Sequence, residues 1–102
     1  MHLITIATYP FTAVDAVSRK FLDVLKDEPL PDYVRMTAIY TEFGGKGINV
    51  YTPIDIDDGH EADGVKAVVK WYTHFFGIEG YEVISRIVYT VEEALPLIGL
   101  SM

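Results

Sequence analysis

Hydrophobic spacing that changes from two residues to between three and four, and then back, twice over, leaves a chain few ways to fold. Residues 2 to 9, HLITIATY, are short, β-branched and closed by Pro10, which predicts a strand. Val14, Val17, Phe21, Val24 and Leu25 then recur at three and four residues, predicting one face of a helix from about 13 to 27. Thr12 is placed to cap it, Asp15 favours its positive end, and Pro29 and Pro31 stop it. The pattern is strand-like again over 33 to 43 and over 48 to 56. A second helix is predicted from about 60 to 76, with Val65, Val68, Val69, Tyr72, Phe75 and Phe76 as its buried face and Gly77 as its left-handed cap. A fourth strand follows over 81 to 89. Thr90-Val91-Glu92-Glu93 then reads as a capping box opening a short helix that Pro96 breaks.

The stretch FGGKGINVY, residues 43 to 51, needs a decision of its own. Glycines around a lysine suggest a phosphate-binding loop, but such a loop feeds a helix whose first amides and positive end hold the phosphate. Here Ile48, Asn49, Val50, Tyr51 and Thr52 follow, a β-favouring run without a helix start, and the GxxxxGK[ST] spacing is missing. The glycines are therefore predicted to turn a hairpin, with Lys46 solvated at its tip.

Composition narrows the function classes. The net charge of -7 argues against nucleic-acid and anionic-membrane partners, which need a basic face. The absence of cysteine removes disulfides, thiolate metal sites and thiol nucleophiles. No leader pattern precedes the first strand and no apolar run nears a membrane span, so a cytoplasmic protein is expected. With half its 102 residues apolar, the chain is expected to form one domain, residues 1 to 102, with a real core.

The element order β-α-β-β-α-β is the split β-α-β, or ferredoxin-like, arrangement. Two helices cover one face of a four-stranded antiparallel sheet, and the other face must meet water or a partner. Ile48, Val50, Ile54 and Ile56 oppose Asn49, Tyr51 and Asp55, while Tyr81, Val83, Ile87 and Tyr89 oppose Glu82, Ile84, Arg86 and Val88. Leu3, Ala7 and Tyr9 alternate with Ile4 and Ile6. Neither face is polar enough to be fully wet. By one register the uncovered face carries Leu3, Ala7, Ile39, Ile84 and Val88, which predicts a homodimer. In this order and alternation the chain resembles the dimeric α+β barrel superfamily, in which two ferredoxin-like protomers appose their open faces. The resemblance extends over nearly the whole chain but rests on no sequence motif. It implies an α+β protomer, a homodimer, and a function among cofactor-free monooxygenases, isomerases, haem enzymes and sensing domains, which fold does not choose between.

Candidate chemistry is sparse. His2 is expected to be exposed near the start of the first strand. His60 sits among Asp57, Asp58, Glu61 and Asp63, but the spacing matches no ligand motif and acidic residues suit a helix start, so no metal is predicted there. His74, beside Trp71, Phe75 and Phe76, either borders the space between helix and sheet as a proton-transfer group or lies on the exposed helix edge. Tyr9, Tyr40, Tyr51, Tyr72, Tyr81 and Tyr89 either line, with Trp71, a pocket for a flat aromatic molecule or pack the sheet with hydroxyls at its rim. Asn49 and Tyr51 share a parity, and Arg86 stands in an apolar strand where it needs an anion such as Glu42 or Glu82, or a ligand.

Asn49, Tyr51, Trp71, His74 and Arg86 are thus the candidate ligand-binding residues, and no cofactor is predicted. The expected function is a small dimeric module that binds or senses a small apolar or aromatic molecule. The alternative is a cofactor-independent monooxygenase- or isomerase-like enzyme with Tyr51, Trp71, His74 and Arg86 around its substrate. The apolar tail ALPLIGLSM is expected to pack on the protomer's own sheet edge or to cross to a partner.

Overall fold

A computed structural model describes residues 1–101 as an α+β chain with an open, antiparallel five-stranded sheet and three α-helices. The strands are β1 (His2–Tyr9), β2 (Val34–Met36), β3 (Tyr40–Phe43), β4 (Ile48–Ile56) and β5 (Glu82–Val88). The helices are α1 (Val14–Asp27), α2 (Glu61–Thr73) and α3 (Val91–Leu97). The sheet order is β2-β4-β1-β5, and β3 also pairs with β4. Among the described residues no helix is long and apolar enough to cross a membrane.

The register decides which residues share a face. Leu3 lies opposite Ile54 and Ile87, Thr5 opposite Thr52 and Ser85, and Ala7 opposite Val50 and Val83. This inner face meets the helices through a core of Leu3, Val17, Val24, Val34, Ile54, Ile56, Val68, Trp71, Tyr72 and Phe75. Leu3 and Ala7 are therefore buried beneath the helices and not on the open face as one sequence register had them. The residues between them supply the open face: Ile4, Ile6, Ile84 and Val88 lie there, and Ile39 does not.

Helix α2 approaches the sheet closely because Gly64 sits where a Cβ would fall 2.4 Å from Ile56 Cγ2. Its buried residues are Gly64, Val68, Trp71 and Tyr72, whereas Val69 and Phe76 are exposed, so the helix is rotated from the face expected. Thr12 does not cap α1. It lies in a 3-10 turn, Phe11–Ala13, whose Ala13 amide already donates to the Pro10 carbonyl at 2.9 Å.

The strand expected over 33 to 43 is two strands. Met36 pairs with Ile54 and Tyr40 with Tyr51, so four steps on one side match three on the other, a bulge of one residue. Its cause lies in β4. The Pro53 carbonyl accepts from the Thr37 amide at 3.0 Å, so the amide that proline lacks belongs to the same edge and cannot hold residues 38 and 39 in the ladder. The glycine stretch joins β3 to β4 with Gly44 N–H donating to the Gly47 carbonyl at 2.8 Å, and a Cβ on Gly47 would fall 2.2 Å from the Tyr9 carbonyl oxygen.

The capping box forms as expected, with the Glu93 amide donating to Thr90 Oγ1 at 3.1 Å and the Thr90 amide to Glu93 Oε1 at 2.9 Å. The described part of the apolar tail does not pack on the protomer's own sheet edge, and Met102 at its end lies outside the described residues: α3 buries no residue, and Leu97 and Ile98 are each 71% exposed. This arm helps to stretch the radius of gyration to 15.3 Å, against about 13 Å for a compact chain of this length.

Candidate functional site

The inner face of the sheet does not close fully against the helices. A cavity of about 280 Å³ remains between the sheet, α1 and α2. Sheet residues Ala7, Val50 and Thr52 face it; Val17, Phe21 and Leu22 come from α1; Trp71 and Tyr72 come from α2, with Phe75 just beyond. Met36, Ile39 and Thr41 line it from the strand side because the bulge lets Met36 and Ile39 both point inward.

Aromatic rings build most of the wall. Trp71 meets Tyr72 edge-on at 5.1 Å and Phe21 edge-on at 6.1 Å, and Phe75 stacks on Tyr81, which stacks on Tyr9. Such contacts hold the rings in fixed orientation, so the hollow keeps its shape without a ligand inside.

Its lining carries the hydroxyls of Tyr9, Ser18, Thr41, Thr52, Tyr72 and Tyr81, and the two most buried of these belong, with Thr5 behind them, to a cluster of three. Thr5 and Thr52 are direct cross-strand neighbours on the inner face, both buried, and the Thr5 hydroxyl shares a hydrogen bond with the Tyr72 phenol. Thr5 Oγ1 also lies 3.5 Å from the Thr52 carbonyl. Burial raises the Tyr72 pKa above that of an ordinary phenol, and the Thr5 and Thr52 hydroxyls partly offset it. Burial likewise raises Tyr9 and, further, Tyr81, where the neighbouring Tyr72 and Tyr9 add to the effect. All three phenols keep their protons at neutral pH. Among the described residues, none that lines the cavity is Asp, Glu, His, Lys or Arg.

The five residues singled out in the sequence are dispersed. Trp71 lines the cavity. His74 ends α2 with its Nδ1 donating to the Trp71 carbonyl at 2.9 Å, and it borders a separate hollow beside Pro29, Pro31 and Lys70. Asn49 and Tyr51 lie on the opposite face of the sheet, where Asn49 Nδ2 and the Tyr51 hydroxyl each donate to Glu42 Oε1 at 2.9 Å. Those two bonds, Asn49 first, hold the Glu42 carboxyl below its ordinary pKa. Arg86 is also on that face, beside Ile4, and among the described residues it makes no ion pair. Of the tyrosines, Tyr9, Tyr72 and Tyr81 reach the cavity, while Tyr40 and Tyr51 face the other way.

Three features escaped the sequence reading. Thr5 and Thr52 were passed over as ordinary strand residues; a threonine at the inward parity of each of two strands, flanked by apolar residues, was the available signal. Phe21 belongs to the apolar face that the spacing predicts for α1, but nothing in the spacing marks Leu22, which falls outside that face, as a cavity residue. His2 is not a free terminal side chain: its Nδ1 lies 2.7 Å from Asp55 Oδ1 and its Nε2 3.2 Å from Glu93 Oε1, tying β1, β4 and the start of α3 together. Near the other acidic segment, Asp57 is engaged by Arg35 at 2.7 Å and the His60 ring stacks on Tyr33 at 4.3 Å.

The open face forms a grid. Its cross-strand rows are Val88–His2–Asp55–Arg35, Arg86–Ile4–Pro53, Ile84–Ile6–Tyr51–Tyr40 and Glu82–Thr8–Asn49–Glu42. Apart from Arg86 the middle rows are apolar or tyrosine, and apart from Val88 the outer rows are polar. Compared with protein-family models, curated proteins and solved structures, the chain matches none of them.

Proposed function

We propose that this chain is a ferredoxin-like protomer of a dimeric α+β barrel and that its inner cavity binds a small apolar or aromatic molecule. The observation that carries the binding reading is the cavity itself: about 280 Å³, walled by interlocked aromatic rings and reached past the exposed side chains of Leu22 and Ile39. A preformed apolar hollow with a few convergent polar groups is the usual form of a small-molecule site. The lining offers shape and hydroxyls but no carboxylate or imidazole to serve as a base, which favours binding or sensing over the enzymatic alternative.

The ferredoxin-like reading is supported by treating β2 and β3 as one strand interrupted by the bulge. Both pair with β4 on the same edge, and the four positions then run second, third, first, fourth, all antiparallel. The dimer is supported by the open grid, whose middle is Ile4, Ile6, Ile84, Pro53 and Tyr51. The grid spans roughly 20 by 15 Å from strand spacing and rise. That falls short of the roughly 800 Å² per partner that a stable interface buries. Helix α3 starts at the grid's edge, where Glu93 meets His2, and its exposed Val91, Leu97, Ile98 and Leu100 supply the missing apolar area. Arg86, which makes no ion pair among the described residues, is left for a carboxylate of the second copy.

The binding reading is tested by titrating naphthalene while following the fluorescence of Trp71, the chain's one tryptophan. Saturable quenching with one site per chain is expected, and an Ala7→Phe variant, which fills the hollow, should lose it while keeping its fold. Linear, unsaturable quenching in the wild-type chain would overturn the reading.

A further inference from the structure

The cavity's chemistry says which small molecules it admits. Fifteen of the described residues line it and none of these carries a charge, so a charged ligand would be taken out of water with no counter-ion among them to meet it. At the same time the lining is not purely apolar: of its hydroxyl-bearing residues Tyr9, Ser18, Thr41, Thr52, Tyr72 and Tyr81, only Thr52 and Tyr72 are buried. Thr52 and Tyr72 reach the cavity, and with Thr5 behind them they form a buried three-hydroxyl cluster. Three O–H groups offer three donor protons and six acceptor lone pairs. The contacts within the cluster, Thr5 with Tyr72 and Thr5 with the Thr52 carbonyl, use only part of that capacity. The cluster sits between β1, β4 and α2 and is held by backbone pairing at Thr5 and Thr52, so its geometry is set before any ligand arrives.

Resting on the binding reading above, we infer that the cavity selects an uncharged, flat, mostly apolar ligand bearing one hydroxyl or carbonyl oxygen, which meets the Tyr72–Thr52 pair. The aromatic walls take the flat body. The hydroxyl cluster takes the oxygen, as donor or acceptor, because a hydroxyl can turn to play either part. A ligand without the oxygen leaves the cluster as it is and loses one hydrogen bond. A ligand with a carboxylate or ammonium has no partner for its charge.

The test compares four two-ring probes by isothermal titration at pH 7.5: naphthalene, 1-naphthol, 1-naphthoate and 1-naphthylmethylammonium. A hydrogen bond of ordinary strength predicts 1-naphthol binding about 5-fold to 10-fold more tightly than naphthalene, after correction for their different solubilities. The two ions should bind about 100-fold more weakly than 1-naphthol or not at all. Tyr72→Phe keeps the ring and removes the hydroxyl, and Thr52→Val does the same for the floor. Each should erase most of the 1-naphthol preference, read as the ratio of 1-naphthol to naphthalene affinity within the same variant. If wild-type chain binds naphthalene but shows no preference for 1-naphthol, or accepts 1-naphthoate equally well, the inference is overturned and the binding reading stands. If the variants keep the preference, the oxygen is held elsewhere and the inference is overturned. If no probe binds, the binding reading falls and takes this inference with it.

Discussion

One strand shows two different surfaces. On the inner side of β1, Leu3, Thr5 and Ala7 are buried beneath the helices; on the outer side, His2, Ile4, Ile6 and Thr8 stand half-exposed. The inner side has no ionisable group except phenols that stay protonated, and its hydroxyls answer one another. The outer side mixes isoleucines with Asp55, Glu82, Arg86 and Glu42, some paired and some not. The difference teaches that alternation in a strand records two environments of different completeness. Burial within the chain finishes the inner face, and only a second surface finishes the outer one.

The largest effects should fall on the finished face. Ile54 is fully buried at the centre of the core, so Ile54→Ala should lower the unfolding free energy by about 2–5 kcal/mol through lost burial and the cavity left behind. Ile4→Ala, one β1 position over and on the other face, should cost dilute protein far less. Urea unfolding at nanomolar concentration checks the contrast, and equal losses would mean that the open face is already covered within the chain.

Next come changes that separate the copies. Ile6→Asp sets a carboxylate in the apolar middle of the grid, where two copies would face each other. The dimer dissociation constant should rise about 100-fold or more, since a buried unpaired charge is strongly unfavourable. Sedimentation should then give the 11.5 kDa chain mass, where the proposed wild-type dimer would give twice that. The stability of the single chain should hardly move. A variant that remains dimeric places the interface elsewhere.

Deleting residues 95 to 102 should do less. Leu97, Ile98 and Leu100 are exposed in the single chain, so dilute protein should melt at the same temperature with or without them. At micromolar concentration the truncated protein should dissociate more readily, by at least about 10-fold, since each leucine or isoleucine that a partner covers contributes about 1.5–3 kcal/mol before entropy is subtracted. A lower melting temperature in dilute monomer would show that the tail packs on its own protomer after all.

Much of the fold was legible because periodicity is local. Residues 2 to 9, 14 to 27 and 48 to 56 each declare their element by spacing alone, and the capping box at Thr90 fixes where α3 begins. What could not be read depended on partners distant in sequence. The parity of the strand over 33 to 43 changes at residues 37 to 39 because Pro53, on another strand, lacks the amide they would need. The choice between Leu3 and Ile4 for the inner face is a choice of register, and both are apolar. The same holds for the site. Aromatic residues near Trp71 advertised a pocket, yet which of them face it was decided by sheet pairing. Asn49 and Tyr51 looked like a site because they share a parity; their shared partner proved to be Glu42, and their face the one opposite the cavity.

The smallest expected effect separates the faces by titration. Glu42 takes hydrogen bonds from Asn49 and Tyr51, and its pKa is lowered from 4.5 with Asn49 as the larger cause. A carboxyl whose folded pKa is depressed contributes stability that is present above its unfolded value and is lost as pH falls from about 4.5 through the folded value. The group is exposed, so the contribution is slight and best read on the residue itself. Carboxyl carbon chemical shifts should place the Glu42 midpoint below that of an ordinary glutamate. Asn49→Ala should return it most of the way, and Tyr51→Phe less. Naphthalene affinity should stay flat across the same acid range for as long as the chain remains folded, because no carboxylate lines the cavity. If Glu42 titrates at its ordinary value, the cluster on the open face does not persist in solution. If naphthalene release follows the Glu42 midpoint, the two faces are coupled through β4 and are not the independent surfaces that their chemistry describes.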